Sequence, residues 1–287
     1  MPECMNPFVI NRNNDDRETS VPCGKCPTCY ARRVSQWSFR LMQQQKQSIS
    51  SHFITLTYDT EHIPINEQGF RTLQKTDLQK FFKRLRKINS KSARGKHARD
   101  NGLTRAPKIS YYAVGEYGGR THRPHYHIIM FNSKPDDIIA AWSLDGVHLG
   151  SVHFGECTEA SVGYCLKYMS KLSRIGHGDW DTRQKQFAIM SKGLGAGYLT
   201  PSILKWHHAD VENRMYCNLP DQKKIGMPIY YKNKIYDKET RETVGQLTRA
   251  RQLTQKDRKV KTPEETASTL AAAQLRLERD DRKGRSL

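Results

Sequence analysis

No apolar run in the 287 residues approaches the ~18–20 that a membrane-spanning helix needs. The opening residues, MPECMNPFVINRNNDD, lack the basic-then-apolar order of a secretory signal. The expectation is therefore a cytosolic chain with no membrane partner. There is no internal repeat and no GxxxxGK[ST] nucleotide loop. SKGLGAGYL (191–199) has close-set glycines without the lysine–serine end, so it reads as a turn. Acidic side chains are scarce, with 29 Asp and Glu against 48 Lys and Arg, a net charge of +19. Cysteine is present in an odd number, seven, and a cytosolic chain does not depend on disulfides.

The basic excess is clustered. Between Arg71 and Asp100 there are eleven Lys and Arg against two acids, Asp77 and Asp100. Such a segment attracts polyanions, and counterion release from phosphates makes nucleic acid the favoured partner over a merely solvated face. Within it, Thr76 and Gln79 form a capping-box pattern that opens a helix running to about Ile88. Leu78, Phe81, Phe82, Leu85 and Ile88 form its buried stripe, and Lys80, Lys83, Arg84, Arg86 and Lys87 its basic exterior.

Elsewhere, alternation and β-branched content predict strands at 52–59, 109–118, 125–131 and 147–154. Helical spacing predicts helices at 30–48, with Val34, Trp37 and Leu41 as its stripe, at 136–143, and at 158–172 behind a Thr158 cap. The order β-α-β-β-α-β-α is that of an α+β fold: a ferredoxin-like, split-βαβ antiparallel sheet with helices on one face. Beyond Ser173 the signals weaken. GMPIYYKNKIYD (226–237) reads as a strand or hairpin, and the charged tail from about Lys238 as a surface helix (266–280) or disordered chain. Three segments result: 1–51, cysteine-rich with a helix; 52–200, the α+β domain; and 201–287, a C-terminal extension.

RPHYHIIMFN (123–132) places two histidines in a strand at i and i+2, so His125 and His127 share one face and Tyr126 takes the other. A short turn returns from the preceding strand, which carries Glu116 nine residues before His125. Two imidazoles and a carboxylate form a three-ligand site with open positions, suited to Mg²⁺ or Mn²⁺ facing phosphate. The alternatives are the polar end of a core strand, Glu116 paired with Arg120 or Arg123, or His122 as a ligand.

GYCLKYMSK (163–171) brings Tyr164, Lys167, Tyr168 and Lys171 within about a 100° arc of one helix. Val162, Cys165, Leu166, Met169 and Leu172 take the opposite side. A phenol becomes a nucleophile when a nearby ammonium and a metal ion favour its phenolate. Attack on a phosphodiester would leave a 5′-phosphotyrosine and a free 3′-OH, and the reverse step rejoins a strand without ATP. An ordinary surface helix is the plainer alternative.

ITLTYD, RPHYH with its upstream glutamate, and YCLKYMSK, spanning roughly residues 52–172, resemble the HUH endonucleases. Within them the chain is similar to the two-tyrosine rolling-circle replication initiators of small single-stranded DNA phages, the gokushovirus-like microviruses. PCGKC (22–26) also looks like sequence found in such phage proteins. The resemblance implies an HUH nuclease fold in which Glu116, His125 and His127 hold the divalent ion. Tyr164 and Tyr168 act alternately as nucleophiles and Lys167 stabilises charge. It further implies sequence-specific nicking of single-stranded or hairpin origin DNA in the host bacterial cytoplasm. With no nucleotide loop for a helicase domain of its own, host helicase and polymerase become expected partners. Basic residues Lys80, Lys83, Arg84, Arg86, Lys87, Arg120, Arg123 and Lys171 would bind the DNA, and Tyr111, Tyr112 or Tyr117 would stack bases. A non-catalytic nucleic-acid-binding protein and a nuclease using water are the rival readings.

Cys23, Cys26 and Cys29 place three thiols in seven residues, and Cys4 could supply a fourth. Structural Zn²⁺, an iron–sulfur site or plain reduced thiols all fit that spacing. Cys157, Cys165 and Cys217 read as scattered core or surface residues.

Overall fold

The computed structural model describes residues 4–11, 18–91, 107–119, 121–167, 181–219 and 221–256, and five isolated positions beyond. By packing, the chain forms two compact units, one of residues 41–195 and one of residues 1–40 with 196–287.

The first unit is built on a five-stranded antiparallel sheet. Its strands are β3 (Ser51–Thr57), β4 (Ser110–Tyr117), β5 (Pro124–Phe131), β8 (Val152–Gly155) and β9 (Phe187–Met190), in the order β8-β3-β5-β4-β9. β5 lies antiparallel between β3 and β4, which therefore run the same way with α2 (Lys75–Lys91) joining them. This is the split-βαβ arrangement expected from the element order. Four of these strands follow alternating apolar runs in the sequence. The edge strand β9, only four residues long, carries too short a pattern to stand out.

The expected strand at 147–154 is divided. Its start, β7 (Val147–His148), pairs with β6 (Ser143–Leu144), and only β8 joins the main sheet. Gly150 marks the break. A Cβ there would run into the Thr57 carbonyl oxygen and lie 2.7 Å from Asp59 N and Tyr58 Cα, all of them backbone atoms.

One face of the sheet carries the larger core. Leu78, Phe81, Phe82 and Leu85 of α2 and Ile138, Ala141 and Trp142, in and just after α3 (Pro135–Ala141), pack on Tyr126, Ile128 and Met130 of β5. The basic stripe of α2 is exposed at Lys80, Lys83, Arg86 and Lys87, as its spacing predicts. Arg84 departs from that reading. Its Nε donates to the Ala141 carbonyl at 2.8 Å, so this guanidinium ties α2 to α3. Thr76 is not the N-cap either. The helix starts at Lys75, whose N–H donates to Gln184 Oε1 at 2.7 Å.

Three tyrosines offered for base stacking are structural. Tyr111 stacks on Phe82, Tyr112 is fully buried, and the Tyr117 hydroxyl accepts from Leu73 N and donates to the Gln184 carbonyl.

Tyr126, between the two histidines, anchors the strand from this face. Its hydroxyl donates to the Gln74 carbonyl, accepts from Gln74 N and meets the Tyr58 hydroxyl at 3.0 Å. The Tyr58 hydroxyl donates in turn to Asp77 Oδ2. Burial pushes both phenol pKa values up, so both stay protonated.

The opposite face receives α4 (Glu159–Lys167). Thr158 Oγ1 accepts from Ser161 N and Ser161 Oγ accepts from Thr158 N, so the expected cap is present and reciprocal. Helices on one face thus describes α2 and α3, whereas the tyrosine helix lies on the other.

In the second unit, β1 (Phe8–Asn11) and β2 (Glu18–Val21) form a hairpin ahead of α1 (Pro27–Lys46), which runs on into the first unit. α5 (Pro201–His208) is capped by Thr200, and β10 (Tyr216–Asn218) pairs with β11 (Lys224–Gly226). The stretch 226–237, expected as a strand or hairpin, is largely helix α6 (Ile229–Ile235). Its Ile-Tyr-Tyr composition favours strands, but Pro228 precedes a helical turn, and within the helix Tyr231 and Ile235, four apart, are the residues buried. α7 (Lys238–Lys256) follows, and the tail helix expected at 266–280 lies almost wholly outside the described residues.

Two substitutions test this frame. Tyr126→Phe should lower stability by about 1–3 kcal/mol by orphaning buried hydrogen-bond partners, read as a lower urea midpoint at unchanged m-value. Gly150→Ala should cost at least about 1–3 kcal/mol in the same measurement, because backbone rather than flexible side chain must give way.

Candidate functional site

Antiparallel register sets Glu116 directly opposite His125, and Thr55 and Val114 opposite His127. Alternation turns His125, His127, Glu116 and Thr55 to the face that α4 covers. Both histidine Nε2 atoms point at one carboxylate oxygen. Glu116 Oε1 lies 2.7 Å from His125 Nε2 and 2.9 Å from His127 Nε2. Glu116 and His127 are buried, while the His125 side chain keeps 18% of its surface exposed, which leaves the cluster an opening to solvent.

The outer ring atoms constrain the protons. His125 Nδ1 is 3.1 Å from the Arg123 carbonyl, which can only accept, so Nδ1 carries hydrogen. In the neutral ring its Nε2 then presents a lone pair to the carboxylate. Two lone pairs at that distance need a proton or a cation between them. His127 Nδ1 meets the Thr55 hydroxyl at 2.9 Å, which serves either tautomer. Burial pushes the His127 pKa down, which resists imidazolium. Burial pushes the Glu116 pKa up, but hydrogen bonds donated by the two rings, which His125 can give only as imidazolium, outweigh it and hold it near 2. An anionic carboxylate facing two ring nitrogens is thus a donor set that fits a divalent cation. The three ligand atoms lie within 4.8 Å of one another. Nδ1 bonds of this kind orient metal-binding imidazoles.

Tyr164 joins this cluster. Its ring stands edge-on to the His127 ring at 5.0 Å and to Phe53 at 6.1 Å, and Phe53 stacks on His127 at 5.5 Å. Cys165, the next residue, is buried, in keeping with a core thiol. The α4 backbone is described to Lys167 but its side chain is not, and Tyr168, Lys171 and Arg120 lie outside the described residues. Arg123 does not pair with Glu116. Its Nη2 donates to the Tyr58 carbonyl at 2.9 Å. His122 is exposed in the turn and is not part of the cluster.

Sequence reading missed Thr55 and Phe53. Both could have been found from β3, where positions 53, 55 and 57 share a face, but only pairing with β5 shows that this face is the histidines'.

Among the described residues the second group able to hold a metal is Cys4, Cys23, Cys26 and Cys29. No helix of the described residues is long and apolar enough to cross a membrane.

No solved structure matches this chain. The model of the family described as replication-associated protein ORF2/G2P matches residues 51–173, a span that holds Glu116, both histidines and Tyr164. The replication-associated protein VP4 of Bdellovibrio phage phiMH2K is 30% identical over 231 residues, covering 75% of this chain and 67% of that protein. The replication-associated protein ORF2 of Spiroplasma virus 4 is 31% identical over 210 residues, covering 67% of this chain and 60% of that protein. ORF4 of Chlamydia phage 1, likewise described as replication-associated, is 26% identical over 198 residues and is spanned for 45% of its length. With a buried Glu-His-His cluster inside the matched span, the chain belongs to the phage replication-associated protein family.

Proposed function

We propose that this chain initiates rolling-circle replication as a metal-dependent, sequence-specific nickase and strand transferase acting on single-stranded or hairpin origin DNA. The observation that carries the reading is the convergence of His125 and His127 Nε2 on one Glu116 oxygen, with the Tyr164 ring 5.0 Å from that of His127. We assign the chemistry to the segment 52–200 as an HUH endonuclease domain.

Glu116, His125 and His127 would hold Mg²⁺ or Mn²⁺, the two imidazoles suiting Mn²⁺ better. A divalent ion there supplies Lewis-acid polarisation of a phosphate oxygen. Arg123 O and Thr55 Oγ1 keep the rings aimed, and α4 and Phe53 exclude water from one side of His127. The Tyr164 phenol oxygen bonds to phosphorus as the bond to the 3′ oxygen breaks. The phenol proton ends on the departing 3′-OH, and the 5′ phosphate stays on the tyrosine. Attack by a 3′-OH reverses these bonds and joins a strand. Tyr168, one helical turn on in sequence, is the second nucleophile of the two-tyrosine scheme, with Lys167 stabilising developing charge and Lys171 and Arg120 contacting phosphates.

Lys80, Lys83, Arg86 and Lys87 lie on the sheet face opposite the histidines. Their part is long-range attraction of DNA and grip away from the scissile phosphate. Arg84 and Arg123 support α2–α3 packing and the strand ends. The setting is the cytoplasm of an infected bacterium, with unwinding and synthesis by host helicase and polymerase.

The deciding experiment incubates the protein with labelled single-stranded oligonucleotides tiling its encoding DNA, with Mg²⁺ or Mn²⁺, followed by a denaturing gel. A metal-dependent shifted band should appear on one tile, mapping to Tyr164 or Tyr168. Tyr164→Phe should abolish the adduct at that position. Cut DNA that survives Tyr164→Phe with Tyr168→Phe would overturn the reading in favour of a water nuclease, and binding with neither cut nor adduct would favour a binding protein. His125→Ala should weaken Mn²⁺ binding by calorimetry by at least about 10–100-fold, the loss usual for even outer partners of a ligand.

Acid should act through Glu116 in the metal-free protein. Its folded-state pKa, about 2, lies below the ordinary 4.5, so its stabilising contribution is full above the higher value and is lost as pH falls towards the lower. Glu116→Gln should flatten that acid limb in unfolding experiments across the same window.

A further inference from the structure

We propose that Cys4, Cys23, Cys26 and Cys29 bind a single zinc ion as a tetrahedral tetrathiolate that staples the N-terminal hairpin to the start of α1. The four thiols are free and their sulfurs all lie within 4.8 Å of one another. Cys4 Sγ and Cys26 Sγ are 3.8 Å apart. That is far longer than a disulfide, and it matches the edge of a tetrahedron whose Zn–S bonds are about 2.3 Å, which is about 3.8 Å. An iron–sulfur cluster would hold its ligating sulfurs further apart, because irons and bridging sulfides fill the space between them.

The surrounding backbone has the polarity that thiolates require. Cys23 N donates to Cys4 Sγ at 3.2 Å, and Lys25 N and Cys26 N donate to Cys23 Sγ at 3.4 and 3.3 Å. Those last two amides turn inward because Gly24 adopts φ +72°, a conformation costly for any other residue of the C-G-K-C turn. The Thr28 hydroxyl lies 3.2 Å from Cys26 Sγ. Donors aimed at the sulfurs in this way belong to a built site rather than to scattered thiols.

The placement explains why a staple is needed. Cys4 precedes β1 and Cys23 follows β2, so one ion would clamp the open end of a hairpin whose strands have four residues each. A two-stranded hairpin is marginal alone in water, and Phe8 and Val9 contribute little burial, at 54% and 58% exposed. Ligand bonds would replace the apolar core that this segment lacks.

The full-length protein, purified through EDTA, should carry one zinc per chain by elemental analysis. Cobalt replacing it should give the intense visible bands of tetrahedral thiolate coordination. Cys29→Ser should lose the ion, whereas Cys29→His, which keeps a fourth ligand, should retain it. His125→Ala should leave the zinc content unchanged, which separates this site from the Glu-His-His cluster and lets either reading fail without the other. Protein free of zinc, unable to take up cobalt and with all four thiols open to alkylation would overturn the proposal. So would iron with acid-labile sulfide, or zinc that disappears with His125→Ala and survives Cys29→Ser.

Discussion

The site depends on the register of β5 between its two neighbours. Pairing of Glu116 with His125 and of Thr55 with His127 brings four polar groups from three strands to one patch of sheet. Strand periodicity is two, so a slip of one residue would turn both histidines into the apolar core and Tyr126 out of it. Apolar burial on both faces of β5 opposes that slip, with Tyr126, Ile128 and Met130 under α2 and α3 and Ile129 and Phe131 buried on the other side. Tyr126 adds a directional lock, because its hydroxyl bonds the Gln74 backbone just ahead of α2 and meets the Tyr58 hydroxyl.

Burial and charge oppose one another in the cluster itself. A carboxylate as buried as Glu116 would ordinarily protonate, yet hydrogen bonds donated by the two facing rings hold its pKa down. His125 has its Nδ1 proton committed to a carbonyl, so its neutral ring would meet the carboxylate with a lone pair, and only a proton or a cation at Nε2 relieves that contact. The arrangement carries an unmet demand for positive charge, which burial of His127 discourages an imidazolium from meeting. A divalent cation, as we propose, would answer that demand with three ligands and leave coordination positions for a phosphate.

The matched family span and the sheet unit are nearly coextensive, 51–173 against 41–195. The thiol cluster lies outside that span, in the unit made of the two chain ends. The basic stripe of α2 lies inside it but on the far side of the sheet. The densest positive charge of the described sequence therefore stands apart from the Glu-His-His cluster.

Periodicity determined a good deal without any tertiary information. Alternation found four of the five sheet strands and placed both histidines on one face. Helical spacing found α2, its buried stripe and its basic exterior, and Thr158 marked the start of α4. These are local properties, because a side chain's face follows from its own backbone. What only the tertiary structure decided is non-local. Thr55 meets His127 across 72 residues and Arg84 reaches Ala141 across 57. Gln184, 109 residues away in sequence, accepts from the Lys75 amide at the start of α2. The stretch 226–237 became helix because its partners lay elsewhere in its unit, against a local composition that favours strand. Local sequence dictates which way a side chain points. Only the packed chain decides what it meets, because closing long loops makes sense energetically once the whole core forms together.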